Sequence, residues 1–215
     1  MIETLKRIIY FFLLFSLSLN ADTNKDPIAL VTVLKPELES FSTTGLFGQN
    51  IELWIGNVFL YGLTQGKDSK DFNALIPPEE ILDLINNQIK SELIASGKFN
   101  VIDKIYIEDN KIQYEDWLDK KDRTSKNRSD YICEIGIGKI LLKHEDTYKF
   151  FQAEFALKII NKNQIINTQK TQMGIFWERV EGIEDKNDTN EVKKAYLETL
   201  NKLSKKLAKE LVDKI

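Results

Sequence analysis

IPPEEILDLINNQIKSELIASGKFNVIDK, residues 76–104, reads as a helix, a glycine stop and a strand. Pro77 and Pro78 suit a first helical turn, where the absent N–H is not needed and the ring already holds φ near the helical value. Glu79 and Glu80 then put negative charge at the positive end of the helix dipole. Ile81, Ile85, Ile89 and Leu93 recur every fourth residue, and Leu82 and Leu84 widen the stripe. Gly97 stands where a left-handed residue ends a helix. Phe99, Val101 and Ile102 open an extended run, which this reading closes at Asp103. A helix packed back on the strand that follows it is half of an α/β layer, and the remaining chain must supply the sheet.

It does so on both sides. Upstream, residues 28–34 (IALVTVL) form a continuous apolar run rich in β-branched side chains, the pattern of a central strand covered on both faces. Pro36 ends it. Downstream, residues 131–142 (YICEIGIGKILL) predict a strand with Tyr131, Cys133, Ile135 and Ile137 on one face. Ile132, Gly136, Gly138 and Ile140 take the other, and two glycines on one face point to a close neighbour. Residues 150–160 alternate, with Phe151, Ala153, Phe155, Leu157 and Ile159 inward and Gln152, Glu154 and Lys158 outward. A turn at 161–164 leads into a returning strand over 165–180, with Met173, Ile175 and Trp177 on one face. Residues 187–215 predict a helix capped by Asp188, with Glu191 three residues later and an apolar stripe from Val192 to Ile215. The expected fold is a layered α/β sandwich: a mostly antiparallel sheet of about five strands, a central helix and a C-terminal helix, in one domain over residues 22–215.

Two stretches resist this scheme. Residues 50–63 (NIELWIGNVFLYGL) are apolar almost all round, and Gly56 and Gly62 weaken a helix there. They read either as a buried core element or as a partner- or membrane-contacting segment, with Trp54, Phe59 and Tyr61 as its docking side chains. Residues 104–130 hold Tyr106, Ile107, Ile112 and Trp117 among acids, a short helix or turn, and end in the charge run 119–128 (DKKDRTSKNR), expected to be a solvated loop.

The chain has 215 residues, 42% hydrophobic and 29% charged, enough to bury one core without staples. Its formal charge of −3 is a poor match for nucleic acid, which needs a basic face. At the start, Lys6 and Arg7 precede an apolar run over residues 8–19 and then Ala21. That is the layout of a signal peptide over residues 1–21, and the run is short of the ~20 residues a membrane span needs. The expected location is the periplasm or outer envelope, with membrane association through an uncleaved signal or a partner as the alternative.

The inventory of reactive groups is thin. Cys133, the single cysteine, alternates with apolar residues in a strand and reads as an inert buried thiol. His144, the single histidine, falls in a polar turn. Neither zinc coordination by the usual nitrogen and sulfur set nor a phosphate loop is available, since Gly136-Ile-Gly138 lies inside a strand. Carboxylates are abundant, but no spacing singles out a pair. An N-x-T acceptor at Asn187 lies in a polar loop. No catalytic residue, metal or cofactor is expected.

Three pieces together resemble the CsgG/LpoB-type envelope fold. They are the helix–glycine–strand segment over residues 84–103, the strand opening Asp130-Tyr-Ile-Cys-Glu-Ile-Gly136, and the hairpin over residues 155–177 with its Ile175-Phe-Trp177 end. The order of elements extends the resemblance to residues 28–180. It implies a domain that either docks on a peptidoglycan synthase or builds a secretion channel. The turn after Leu142 is too short for membrane hairpins of ~10-residue strands, so the compact synthase-activator plan is the nearer one. The lipobox cysteine and proline-rich linker of that plan are not present. The expected function is therefore a non-enzymatic, exported binding module whose partner is an envelope protein, with no nucleic acid. Two alternatives stay open: a cryptic hydrolase using paired carboxylates, and a structural subunit assembling through the C-terminal helix.

Overall fold

The apolar run at residues 28–34 becomes β1 (Pro27–Leu34), and every residue after Pro27 is buried. The computed structural model describes residues 27–42, 75–144, 148–183 and 188–215. The signal-peptide run, residues 50–63 and the three docking side chains Trp54, Phe59 and Tyr61 lie outside the described residues. Six further strands follow: β2 (Glu37–Ser42), β3 (Asn100–Ile107), β4 (Tyr131–His144), β5 (Lys149–Asn161), β6 (Gln164–Lys170) and β7 (Trp177–Arg179). The described helices are α1 (Pro78–Ala95), α2 (Tyr114–Asp119) and α3 (Thr189–Asp213).

The sheet is ordered β3-β1-β4-β5-β6. β2 pairs with β4 where β1 leaves off, and β7 pairs with β5 where β6 leaves off, so seven strands fill five positions. β1 is parallel to β3 and β4, and β2 is parallel to β4; the ladders of β5 with β4, β6 and β7 are antiparallel. The longest ladder, β4 with β5, runs from Tyr131 opposite Asn161 to His144 opposite Lys149. This is the expected layered α/β architecture, and β1 sits inside it because it is apolar on both faces.

α1 and α3 pack side by side on one face of the sheet. The α1 stripe of Ile81, Ile85, Ile89 and Leu93 is fully buried, and Gly97 turns the chain at φ 62°. The α3 stripe of Tyr196, Leu200, Leu203, Leu207 and Leu211 joins the same core, with the inward β5 side chains from Phe151 to Ile159. Asp188 caps α3, accepting from the N–H groups of Asn190 and Glu191 at 2.9 and 3.3 Å. α2 covers part of the other face, with Trp117 fully buried against Val31, Val33, Ile132 and Ala156.

Several sequence expectations change. The strand after Gly97 does not stop at Asp103 but continues to Ile107, because parallel pairing with β1 carries it on. His144 is the last residue of β4, not part of a turn. Ile140 joins Ile137 in the α1/α3 core rather than opposing it, because a register slip between them resets the alternation. The returning strand over 165–180 is two strands, β6 and β7, with a detour at 171–176 that includes Gly174 at φ 88°. Lys158 and Gln152, expected to face water, are buried, and α2 lies over Lys158.

Candidate functional site

The second face of the sheet carries both the structural polar network and the open groove. Glu134 and Lys158, opposite each other on β4 and β5, are fully buried. The Glu134 carboxylate accepts from Trp117 Nε1 at 3.0 Å and from the backbone N–H groups of Thr124 and Ser125. Lys158 Nζ donates to the carbonyls of Trp117 and Lys120 at the end of α2, and stands 4.8 Å from the Trp117 ring centroid. Burial lowers the Lys158 pKa, and Glu134 opposes the shift. The charge run 119–128 is therefore not simply a solvated loop. Glu108 also holds it, accepting from Ser125 Oγ and from the N–H groups of Lys126 and Asn127. Arg123 donates to three carbonyls, those of Ser125, Ser129 and Lys162. Apart from Arg123 Nη2, which is buried without a hydrogen-bond partner, these charges are satisfied inside the fold and belong to its architecture.

Beyond α2 the same face opens into a cleft of about 540 Å³. Leu34, Ile137 and Met173 give it apolar wall, and Tyr114, Lys139 and Glu154 give it polar groups. Gly138 makes the room: a Cβ there would lie 3.3 Å from the Tyr114 ring and 3.2 Å from the Glu154 carbonyl. The Tyr114 hydroxyl is buried without a hydrogen-bond partner. Burial, and then the carboxylates of Glu154 and Glu115, push its pKa up, so it stays a neutral phenol. The Glu154 carboxyl is also held above its ordinary value, first by burial and then by Glu115, with Lys170 opposing. Glu154 sits on β5 between the end of the β6 pairing at Ala156 and the start of the β7 pairing at Gln152. A second cleft of about 470 Å³ there shares Glu154 and is lined by Lys170, Phe176, Glu210 and Lys214.

Further along β5 the same face carries an aromatic patch. Glu154, Gln152 and Phe150 follow at two-residue spacing and so share a face. Directly across from Gln152 and Phe150, β7 places Trp177 and Arg179, while β4 places Leu141 and Lys143. Residues opposite each other across an antiparallel ladder stand on the same side. The result is an aromatic rim with two cations. Trp177, 53% exposed, meets Phe150 edge-on at 6.0 Å. Tyr148 packs on Phe150 at 5.7 Å. Arg179 lies 5.0 Å from the Tyr148 ring centroid, and Lys143 lies 5.8 Å from that of Phe150.

No family model matches this chain, and neither does any curated protein. Among solved structures, a Helicobacter pylori protein described as a neuraminyllactose-binding hemagglutinin homologue is similar at 12% identity, with 85% of this chain and 82% of that chain covered and a TM-score of 0.33. The hypothetical protein CT253 from Chlamydia trachomatis is similar at 12% identity, with 87% of this chain and 95% of that one covered, again at a TM-score of 0.33. At that TM-score neither likeness carries weight for fold or function.

Cys133 is fully buried and burial drives its thiol pKa up, which removes the thiolate a nucleophile needs. Among the described residues, no three His, Cys, Asp or Glu side chains gather as a metal set, and no helix is long and apolar enough to cross a membrane. The sequence reading missed the cleft and the aromatic patch because the parts of each come from separated stretches. The one local signal was the Trp177-Glu-Arg179 alternation, an aromatic and a cation at strand spacing.

Proposed function

We propose that this protein is a non-enzymatic, envelope-associated binding module and that the aromatic and cationic patch formed by β5, β7 and the end of β4 is where it meets its partner. The observation that carries the reading is the exposed Trp177 set among Phe150, Tyr148, Lys143 and Arg179. Aromatic rings and arginine are the side chains that anchor protein interfaces, because they bring large area and directed polar groups at low entropic cost. The leader-like run over residues 1–21 supports an exported location, and the resemblance to the CsgG/LpoB-type fold supports an envelope protein, such as a peptidoglycan synthase, as the partner. The test is a photo-crosslinking scan of the full chain in envelope extracts, with a benzophenone amino acid at position 177 and, as control, at the exposed Lys121 on the loop after α2. A discrete adduct from position 177 alone is expected; equal or absent labelling at both positions rejects the reading.

A second reading, a carboxylate-dependent hydrolase, has one observation in its favour: Glu115 and Glu154 line the same cleft, where burial and then the Glu115 charge raise the Glu154 pKa. Hydrolysis of a cell-wall or peptide substrate that disappears in Glu154→Gln would establish it. A structural subunit assembling through the C-terminal helix would have to use the outer face of α3, since its apolar stripe packs in the core.

A further inference from the structure

The cleft of about 540 Å³ beside α2 is separate from the patch around Trp177 and has a chemistry of its own. We infer that it is a binding site for a small organic cation, whose apolar body rests on Leu34, Ile137 and Met173 and whose protonated amine is held by Glu115 and Glu154. This goes beyond the partner-binding reading and does not depend on it.

The place of the cleft in the fold comes first. β3 ends at Ile107, opposite Thr32, and β1 ends two residues later at Leu34. The connections between these parallel strands run on opposite faces: α1 leads into β3 on one, and α2 leads from β3 into β4 on the other. A crevice at the carboxyl ends of strands whose connections diverge in this way is where open α/β sheets take ligands. The lining matches, with Leu34 and Lys35 at the end of β1 and residues 109–113 on the way from β3 to α2. Gly138 keeps β4 from filling it, since any side chain there would meet the Tyr114 ring.

Charge then selects the ligand. Among the described residues the lining carries three lysines and three acids. Lys35 lies 4.0 Å from Asp109, Lys139 has a partner of its own, and Lys111 is exposed on the loop after β3. The end formed by α2 and β5 is different. Glu154 and Glu115 meet there beside Tyr114, which feels both carboxylates. Glu154 is partly buried and repelled by Glu115, and the lysine that opposes this, Lys170, comes from β6. Glu210 and Lys214 of α3, which share the second cleft with Glu154, pair with each other. Two carboxylates in one partly buried corner favour an incoming cation and disfavour an anion. The Tyr114 hydroxyl is an independent sign: it is buried in the same corner, has no hydrogen-bond partner and can accept from an ammonium N–H.

The experiment uses the full chain and three probes of one shape: 2-phenylethylamine, 2-phenylethanol and 3-phenylpropionate. Saturation-transfer NMR detects binding and isothermal titration calorimetry gives the affinity. The amine should bind and the other two should not. Its affinity should fall about fivefold in Glu154→Gln and in Glu115→Gln, the scale of one partly exposed charge pair each. It should stay unchanged in Glu210→Gln, and circular dichroism melts check that each variant is folded. The amine should also bind more weakly at about pH 4.5 than at about pH 7, because acid protonates the carboxylate that holds it. Binding should therefore release protons, read as a dependence of the measured heat on the buffer's ionisation enthalpy. Equal binding of the alcohol or the carboxylate overturns the inference, as does an absence of binding by all three. An affinity indifferent to pH or to Glu154→Gln overturns it too. A loss in Glu210→Gln with none in Glu115→Gln moves the amine to the second cleft and overturns the assignment.

Discussion

Gly136 and Glu134 show how single residues set the second face. Gly136 leaves the space that the Trp117 indole fills, and a Cβ there would fall inside the van der Waals shell of the ring. Gly136→Ala should therefore cost about 1–3 kcal/mol in urea denaturation, the range for overpacking a core. Gly138→Ala should cost less, since its nearest contacts lie at 3.2–3.3 Å. Equal losses at the two positions would contradict the wedge. Glu134 accepts one side-chain and two backbone hydrogen bonds while fully buried. Glu134→Ala strands three donors and leaves the Lys158 ammonium without its facing carboxylate, so a loss of about 3 kcal/mol is expected in the same assay. A loss under ~1 kcal/mol would mean that water replaces the carboxylate. Two glycines on one strand face were visible in the sequence as a sign of close approach; that the neighbour is Trp117 was not, because nothing local pairs position 136 with position 117.

At the scale of elements, local chemistry was easy to read where one stretch contains its own start and stop. α1 begins after Pro77 and ends before Gly97, as the residues dictate. α3 is capped by the residue expected to cap it, and Asp188→Ala should lower stability by about 1 kcal/mol, seen as a drop in Tm by differential scanning calorimetry. No change in Tm would mean that tertiary packing alone sets where α3 begins. Elements defined by their neighbours were harder. β6 and β7 looked like one strand because Met173, Ile175 and Trp177 keep a two-residue spacing through the end of the detour at 171–176. The alternation of β5 was legible, yet its polar positions split between a buried Lys158, a buried Gln152 and a half-buried Glu154, according to what lies over each.

For the molecule as a whole, the consequence is a sheet with one face closed by α1 and α3 and the other shared between α2 and a groove. The groove's acid has a pH signature. The folded-state pKa of Glu154 is raised above its ordinary value of 4.5, by burial first and by Glu115 next. Stability from this group is fully present below about pH 4.5 and is lost as pH rises through the raised value, because the folded chain then holds a proton that the unfolded chain has released. Glu154→Gln should match the wild type near pH 4 and gain on it toward pH 7. The gain should stay under about 1 kcal/mol, since the group is partly exposed and screened. Urea melts at both values check this, and a difference that does not change with pH would remove Glu154 from the raised class.

Periodicity, caps and apolar runs were enough to establish the α/β class, the central strand and the two long helices, because each depends on interactions within a turn or two of chain. The aromatic and cationic patch depended on register. Trp177, Arg179, Lys143 and Phe150 become neighbours only when β4, β5 and β7 pair as they do, and a slip of one residue would send each to the opposite face. That pairing is decided by the packed core beneath the sheet, which no single stretch of sequence contains.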